Sequence, residues 1–275
     1  MLLTNARWMA IVVLTLLSCA TASSEEAGNE GNNTGPWPGG AEVAVILTYD
    51  DSLDSHLDIA IPQLNKLDLP GTFYLSGARS SIRDRHREWR NAAGQGHELG
   101  NHMLYHPCRK SLPGRDWVQP WHDLDDYTLA QFIDELRTTN SLLSAIDGEQ
   151  KRSFAYPCGD MQAGGEDIVE ALKPYVTAAR HGSADGQHAI DDDNFYQLAS
   201  FDSLKKSGKE LIAVAEAARA EHSMVGFLFH GVGGDYLTTS AESHQALLAH
   251  LAAHPEVYWV ATVTDAVTYL KALQQ

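Results

Sequence analysis

Hydrophobic and polar positions follow two alternating patterns from residue 41 to the end of the chain. Runs of consecutive apolar residues predict buried strands, and apolar residues repeated every three or four positions predict the helices between them. The predicted strands are Val43–Leu47, Thr72–Leu75, His97–Asn101, Arg152–Tyr156, Tyr175–Ala179, Phe195–Leu198, Met224–Phe229 and Val257–Ala261. The predicted helices contain Leu57, Ile61 and Leu64, and then cover Arg83–Ala93, Leu129–Leu143, Glu166–Leu172, Lys209–Glu221, Ala241–Ala253 and Asp265–Leu273. The alternation predicts an α/β fold, a single distorted (β/α) barrel of about seven parallel strands.

Two segments before the barrel do not follow these patterns. Residues 8–17 form an apolar run that is too short to span a bilayer and is typical of a signal peptide. The run leads into Leu16-Leu17-Ser18-Cys19, which resembles a bacterial lipobox and predicts a lipoprotein signal peptide over 1–19 with the lipid on Cys19. The alternative is plain secretion after cleavage near residues 20–23. Residues 20–40 are polar and rich in Gly and Asn, which predicts a flexible tether before a folded domain over 41–275.

The net charge limits the kinds of partner that the protein can bind, and the cysteines indicate the compartment in which it lies. The net charge of −16 argues against nucleic acid and anionic membrane surfaces, which repel an acidic protein. We expect a monomer of the bacterial cell envelope, facing the periplasm or the surface, that meets the membrane only through its lipid anchor. Lipidation of Cys19 leaves Cys108 and Cys158 in an oxidising compartment, where a disulfide can form.

Two adjacent carboxylates, Asp50 and Asp51, come directly after the first predicted strand. The carboxyl ends of the strands carry the active site in parallel barrels, so the position suits catalysis. The alternative is a structural role, because Asp and Ser are favoured as N-caps and a helix is predicted to begin near Leu53.

Two histidines, His102 and His106, follow another predicted strand. Gly100 and Pro107 flank the segment, so a turn there can direct both imidazoles to one ion. Together with Asp51 they would provide three ligands and leave a position open for water, as in catalytic zinc sites.

Four short motifs in order resemble those of one enzyme family. The segments Thr48–Ser52, His102–His106, Ala155–Gly159 and Phe227–His230 are similar to T-F-D-D-G, H-[ST]-x-x-H, R-P-P-Y-G and L-x-L-H. These are motifs of the polysaccharide deacetylases, the NodB-homology group or carbohydrate esterase family four, and the resemblance covers about Val43 to Leu270. It implies a barrel of the NodB type and a hydrolase that removes acetyl groups from a carbohydrate. The substrate would be a polymer or oligosaccharide containing N-acetylglucosamine, or an O-acetylated, xylan-like polymer.

The resemblance also implies a role for each polar residue in these motifs. Asp51, His102 and His106 would bind a divalent metal ion, with zinc as the expected ion. Asp50 would be the general base that takes a proton from the attacking water. His230 would be the general acid that protonates the leaving group; the alternative is a histidine that only occupies a glycine-rich turn.

The third motif carries both a further role and a departure from the family. The backbone N–H of Cys158 would stabilise the oxyanion, which does not depend on the side chain. Ala155 stands where the family usually has an arginine that pairs with the base, and Arg152 or Arg180 is a candidate to replace it. Asp202 is the candidate for the acid that tunes His230 in the family.

The same motifs predict a disulfide. Cys108 follows His106 by two residues and Cys158 lies in the third motif, so both would border one metal site. We therefore predict a Cys108–Cys158 bond that joins the two loops.

A long irregular segment, 110–127, contains Trp117 and Trp121. Long loops at strand ends are often binding elements, and exposed aromatic side chains suit stacking on sugar rings. The alternative is that both tryptophans pack the loop onto the barrel.

Two other functions stay open from the sequence. One is a surface-tethered glycan-binding protein with a decayed deacetylase site, and the other is a zinc hydrolase that acts on a different amide or ester. The complete set of base, ligands and acid favours a working deacetylase over a binding protein.

Overall fold

The computed structural model describes residues 35–182 and 185–274, and its strands form a curved sheet. The strands are β1 (Val43–Asp50), β2 (Thr72–Leu75), β3 (Glu98–Asn101), β4 (Phe154–Ala155), β5 (Gln162–Ala163), β6 (Glu166–Asp167), β7 (Ala179–Arg180), β8 (Gln187–His188), β9 (Phe201–Asp202), β10 (Met224–Phe229) and β11 (Tyr258–Ala261). The helices are α1 (Ile61–Asn65, which continues a π-helical turn over His56–Ala60), α2 (Ser80–Gly94), α3 (Leu129–Asp147), α4 (Val169–Leu172), α5 (Gly208–Ala217), α6 (Ala241–Ala253) and α7 (Val263–Leu273). Short 3-10 turns cover Pro38–Gly40, Pro120–His122, Leu124–Asp126, Pro157–Gly159, Lys173–Tyr175 and Ala218–Glu221.

Strand β1 lies at the centre of the sheet, and all of its residues are buried. It pairs in parallel with β10 on one side; on the other it pairs with β11 along its first half and with β2 along its second half. A parallel strand covered on both faces needs a nearly continuous apolar run, which is the pattern of Val43–Leu47. The carboxyl end of β1, Asp50, therefore emerges in the middle of the sheet edge.

The remaining strands extend the sheet around β1 in the order β2, β3, β4 and β7, while β10 also pairs in parallel with β9. Leu198 forms a parallel bridge to Arg180 in β7, and Phe201 lies opposite Phe227 in β10. The segment between Leu198 and Phe201 thus connects the two outer parts of the sheet. The predicted single distorted (β/α) barrel of parallel strands is confirmed.

Three predicted elements between β4 and β9 differ from the structure. The strand predicted over Tyr175–Ala179 begins only at Ala179, and Lys173–Tyr175 forms a 3-10 turn. Phe195–Leu198 forms no strand beyond the bridge at Leu198, and the helix predicted over Glu166–Leu172 begins only at Val169. Glu166–Asp167 instead pairs with Gln162–Ala163 across Gly164 and Gly165, which both have positive φ. A two-residue glycine turn of this kind favours a hairpin over a helix start.

The packed fold begins before the predicted domain boundary at residue 41. Trp37 is only 2% exposed, its indole N–H donates to the carbonyl of His222, and its ring lies 6.1 Å from that of Trp259. The Tyr269 hydroxyl donates to the Pro36 carbonyl at 2.8 Å. The flexible tether predicted over 20–40 therefore does not extend through residues 35–40. The predicted signal peptide, Cys19 and the rest of the tether lie outside the described residues.

Among the helices of the described ranges, none is long and apolar enough to cross a bilayer.

Buried histidines hold the layers of the fold together in their neutral form. On α6, His244 accepts a hydrogen bond from the Tyr49 hydroxyl at 2.8 Å and donates to Gln63 at 2.6 Å. His97 accepts from the backbone N–H of Gly71 at 3.1 Å. Burial lowers the pKa of His244 to about 3 and that of His97 to about 4.

These histidines predict loss of stability in acid. Each has a folded-state pKa below the value of about 6.5 expected in the unfolded chain, so the unfolded state binds more protons between those values. The free energy of unfolding should fall by up to about 1.4 kcal/mol per pH unit for each histidine as the pH drops from 6.5 toward 4. Denaturant unfolding at pH 7 and pH 5 measures this change. His244→Gln should weaken the pH dependence, whereas the exposed control His86→Gln should retain it. An unchanged pH dependence in His244→Gln would contradict the assignment.

Candidate metal centre and active site

A cavity of about 710 Å³ lies at the carboxyl ends of the parallel strands. Sequence-predicted site residues from five separate parts of the chain meet there. They are Asp50, Asp51, His102, His106, Trp117, Cys158 and His230. The position agrees with the rule that loops after parallel strands build the site in barrels of this kind.

Asp51, His102 and His106 form a candidate metal centre. The Asp51 Oδ1 atom lies 3.6 Å from His102 Nε2 and 3.3 Å from His106 Nε2, and the three ligand atoms lie within 4.8 Å of one another. Asp51 Oδ1 is buried and has no hydrogen-bond partner among the described residues. Arg79 Nη2 lies 3.8 Å from the same oxygen, which is beyond hydrogen-bond distance. A buried oxygen that faces two imidazole nitrogens and accepts no hydrogen bond from the described residues fits a divalent cation with nitrogen and oxygen ligands.

The two imidazoles are held in the form that can ligate a metal. His102 donates from Nδ1 to the carbonyl of Ala155 at 2.9 Å, which leaves the lone pair of Nε2 directed toward Asp51. Burial lowers the pKa of His106 to about 4, so this side chain is neutral at pH 7. Neutral imidazole is the ligand form of histidine.

The backbone around the site adopts left-handed conformations at residues other than glycine. Asp51, Met103, His106 and Cys158 have φ values of 82°, 62°, 55° and 57°. Such conformations cost about 1–3 kcal/mol each and persist where the surrounding contacts impose them. Met103, which replaces the usual Ser or Thr of the second motif, is fully buried, and its N–H donates to the Asn101 side chain at 2.7 Å.

Arg180 supplies the guanidinium that the third motif lacks. It donates from Nη2 to Asp50 Oδ2 and from Nη1 to the Ser200 hydroxyl at 3.1 Å. Arg180 in β7 is the direct register partner of Ala155 in β4, so the cation stands one strand away from the usual position. The other candidate, Arg152, is instead engaged by Asp147 at 2.7 Å.

His230 lines the same cavity as the candidate metal ligands. Its Nε2 lies 3.9 Å from Asp51 Oδ2, and its backbone carbonyl accepts a hydrogen bond from His56 Nε2 at 2.8 Å. Asp202, the candidate partner of this histidine, is exposed on β9 and accepts from the N–H of Leu204 at 3.0 Å. The structure therefore does not support Asp202 as the residue that tunes His230.

Two further residues of the site had no motif in the sequence. The Tyr236 hydroxyl donates to Asp51 Oδ2 at 2.8 Å, and Arg79 donates to the same hydroxyl at 2.8 Å. Burial and the nearby charge of Asp51 raise the pKa of Tyr236 above its ordinary value, so the hydroxyl remains a donor. The sequence signal was weak, since Tyr236 is one of several residues after the glycine-rich turn that follows His230.

The predicted Cys108–Cys158 disulfide is present, with the two Cα atoms 5.9 Å apart. It joins the loop that carries His106 to the turn of the third motif. Cys108 Sγ also lies 3.5 Å from His106 Nδ1, on the side of the ring away from Asp51. The bond therefore connects the loop of His106, a predicted metal ligand, to Cys158, whose N–H is the predicted oxyanion donor.

The two tryptophans of the 110–127 loop have different surroundings. Trp117 is 56% exposed and lines the cavity, with its ring 6.4 Å from that of His106. Trp121 is 68% exposed and contacts His122 edge-on. Neither packs the loop onto the barrel, a role that falls to the buried Val118 and Leu124.

Parts of the chain are similar in sequence to known proteins. A sequence model of the family "Polysaccharide deacetylase" matches residues 39–174. A gellan lyase from a Bacillus species is 27% identical over 201 residues, which cover 69% of this chain and 7% of that protein's length.

Solved structures share the fold at low identity. A putative polysaccharide deacetylase from Mycobacterium smegmatis has a TM-score of 0.62 at 15% identity, with 86% of this chain and 93% of that chain covered. PdaA of Bacillus subtilis, a family 4 carbohydrate esterase, has a TM-score of 0.54 at 17% identity, with coverage of 84% and 82%. A mutant of BA3943, a pseudoenzyme of the same esterase family from Bacillus anthracis, has a TM-score of 0.51 at 18% identity, with coverage of 82% and 67%.

The family match includes three of the four motifs, and the barrel brings the fourth to the same cavity. Both the resemblance and the fold are therefore confirmed: residues 39–174 match the polysaccharide deacetylase family, and the chain shares the fold of the family 4 carbohydrate esterase PdaA.

Proposed function

We propose that the protein is a metal-dependent hydrolase that removes acetyl groups from a carbohydrate. The observation that carries the proposal is the buried Asp51 Oδ1, which faces His102 and His106 and accepts no hydrogen bond from the described residues, with the second carboxylate, Asp50, beside them. Asp50 Oδ2 lies 3.8 Å from His102 Nε2. The bond broken would be the amide of an N-acetylglucosamine unit or the acetyl ester of a xylan-like sugar.

Zinc is the proposed ion, because two imidazoles and one carboxylate are a common ligand set of catalytic zinc. When bound, zinc would act as a Lewis acid and bring the pKa of its water toward 7. The hydrogen bond from Tyr236 to Asp51 Oδ2 leaves Oδ1 as the ligand atom.

Asp50 is proposed as the general base. Its Oδ2 atom is held by Arg180, whereas its Oδ1 atom is buried with no hydrogen-bond partner in the described part of the chain. One oxygen is thus fixed in orientation while the other is available to accept the proton of the attacking water. The guanidinium also compensates the buried charge, which would otherwise be strongly unfavourable.

His230 and Cys158 complete the proposed chemistry. His230 is partly exposed to the cavity, and its backbone is fixed by the hydrogen bond from His56. An imidazole at this place can protonate the departing amine or alkoxide. The N–H of Cys158, in the turn over Pro157–Gly159, would stabilise the negative oxygen of the tetrahedral intermediate.

The assignment of the base predicts the effect of Asp50→Asn. The variant should retain zinc and lose about 10²–10⁴-fold in the rate of acetate release, the usual contribution of a general base. Acetate release should be measured on chitooligosaccharides, peptidoglycan fragments, poly-N-acetylglucosamine and acetylated xylan, together with the zinc content.

Asp51→Asn should lose zinc, and the exposed control Asp134→Asn should change neither the zinc content nor the rate of acetate release. An Asp50→Asn protein with unchanged activity would contradict the role of Asp50. Zinc binding and glycan binding without release from any substrate would support the glycan-binding alternative.

The register of β4 and β7 predicts a rescue of Arg180→Ala. Removing the guanidinium leaves Asp50 misoriented, and kcat should fall on the order of 10²-fold with a smaller change in KM. Because Ala155 is the register partner of Arg180, the double variant Ala155→Arg, Arg180→Ala should recover part of kcat. Steady-state kinetics with thermal melting of each variant test this. Wild-type kcat in Arg180→Ala would show that Asp50 does not depend on the arginine.

A further inference from the structure

The imidazole of His106 lies between two groups of potential metal ligands. Its Nε2 atom is 3.3 Å from Asp51 Oδ1, and its Nδ1 atom is 3.5 Å from Cys108 Sγ. The sulfur of Cys158 belongs to the second group, because one ligand atom each from His106, Cys108 and Cys158 lie within 4.8 Å of one another. While the two sulfurs are joined in the disulfide they bind no metal, since the thiolate is the ligand form of cysteine.

Contacts other than the disulfide hold the two cysteines together. The N–H of Arg109, the residue after Cys108, donates to the Asp160 carboxylate at 2.8 Å. Arg115 donates to the same carboxylate at 2.7 Å and to the carbonyl of Cys158 at 3.1 Å. Asp160 thus ties the loop of Cys108 to the turn of Cys158 independently of the sulfur atoms. We therefore expect the two sulfurs to remain neighbours when the bond between them is opened.

The disulfide can be reached from the metal cavity. Cys158 lines that cavity, whereas Cys108 is fully buried. A dithiol that enters the cavity can attack the bond, because disulfides are reduced by thiolates that reach a sulfur. The reaction adds two electrons and two protons across the Sγ–Sγ bond and gives two thiols, while the dithiol becomes a disulfide. Zinc that binds the two sulfurs then displaces their protons.

We propose that reduction of the Cys108–Cys158 bond creates a second zinc site, made of His106 Nδ1 and the two cysteine sulfurs, which takes the metal from Asp51 and His102. A neutral imidazole ligates through one nitrogen and carries a proton on the other, so His106 serves one site at a time. Two thiolates and one imidazole are a ligand set of zinc, and thiolates are its softer ligands. The state of the disulfide would therefore decide where the metal lies.

The first experiment uses Co²⁺ and Zn²⁺ as probes of the whole protein, with a phosphine as reductant, which is converted to its oxide. With one equivalent of Co²⁺, the oxidised protein should show no sulfur-to-cobalt charge-transfer absorption. The reduced protein should show it, and reoxidation should remove it. Zinc should bind the reduced protein about tenfold or more tightly than the oxidised protein. By linkage, saturating zinc should then raise the midpoint potential of the disulfide by about 30 mV for each factor of ten.

Variants separate the two groups of ligands. Oxidised Asp51→Asn is expected to lose zinc, but reduced Asp51→Asn should still bind one equivalent of metal and show the charge-transfer absorption. His106→Ala should weaken metal binding in both redox states, because both groups use this side chain. The control His122→Ala removes a histidine of the same loop that belongs to neither group formed by the described residues, and it should bind metal as the wild type does.

The outcomes are independent of the deacetylase activity, because metal content and absorption need no substrate. Cobalt bound to the reduced wild type without charge-transfer absorption would overturn the second site and leave the deacetylase proposal intact. Reduced Asp51→Asn that binds no metal would do the same, as would a reduced wild type that unfolds in a thermal melt. If acetate release is observed, it should fall on reduction in proportion to the cobalt or zinc transferred and return on reoxidation; release unaffected by reduction would contradict the shared use of His106.

Discussion

The ion pair between Arg180 and Asp50 is the interaction on which the candidate site depends. Strand β1 brings two consecutive carboxylates to a buried place in the middle of the sheet edge, where an unpaired charge is strongly unfavourable. Arg180 compensates Asp50 from the neighbouring part of the barrel, while Asp51 faces the two histidines with an oxygen that accepts no hydrogen bond from the described residues. The closure of the sheet through Leu198 places Arg180 there, which makes the curvature of the barrel a condition of the chemistry.

Much of the fold was predictable because its central strands are buried on both faces. Thr72–Leu75 and Met224–Phe229 were predicted with the bounds that the structure gives, since a continuous apolar run leaves few other assignments. The sequence could not predict how neighbouring strands align, and that alignment is what makes Arg180 the partner of Ala155. Tyr236 and Arg79 escaped prediction for the same reason: they meet at Asp51 only after residues 157 positions apart in the chain come together.

The region between β4 and β9 shows where hydrophobic periodicity stops being informative. Its strands are two residues long, and turns and side-chain hydrogen bonds determine its path. Gly164 and Gly165 form the turn of a hairpin where the sequence pattern predicts the start of a helix. At the other end of the fold, the single buried indole of Trp37 orders a segment whose composition is otherwise that of a tether. The composition of a segment describes its average polarity. One large side chain that is buried in the core can nevertheless determine where the ordered domain starts along the chain.

The left-handed residues at the site have a consequence for how the protein can change in evolution or by design. Glycine adopts the conformations of Met103 and Cys158 without steric cost, so it is the substitution that backbone energetics alone would select there. Glycine would also free the chain to leave that conformation, and the loops that orient His102, His106 and the third motif would lose their rigidity. Substituting glycine at either position would therefore relieve local backbone strain but give up the order of the loops around the site.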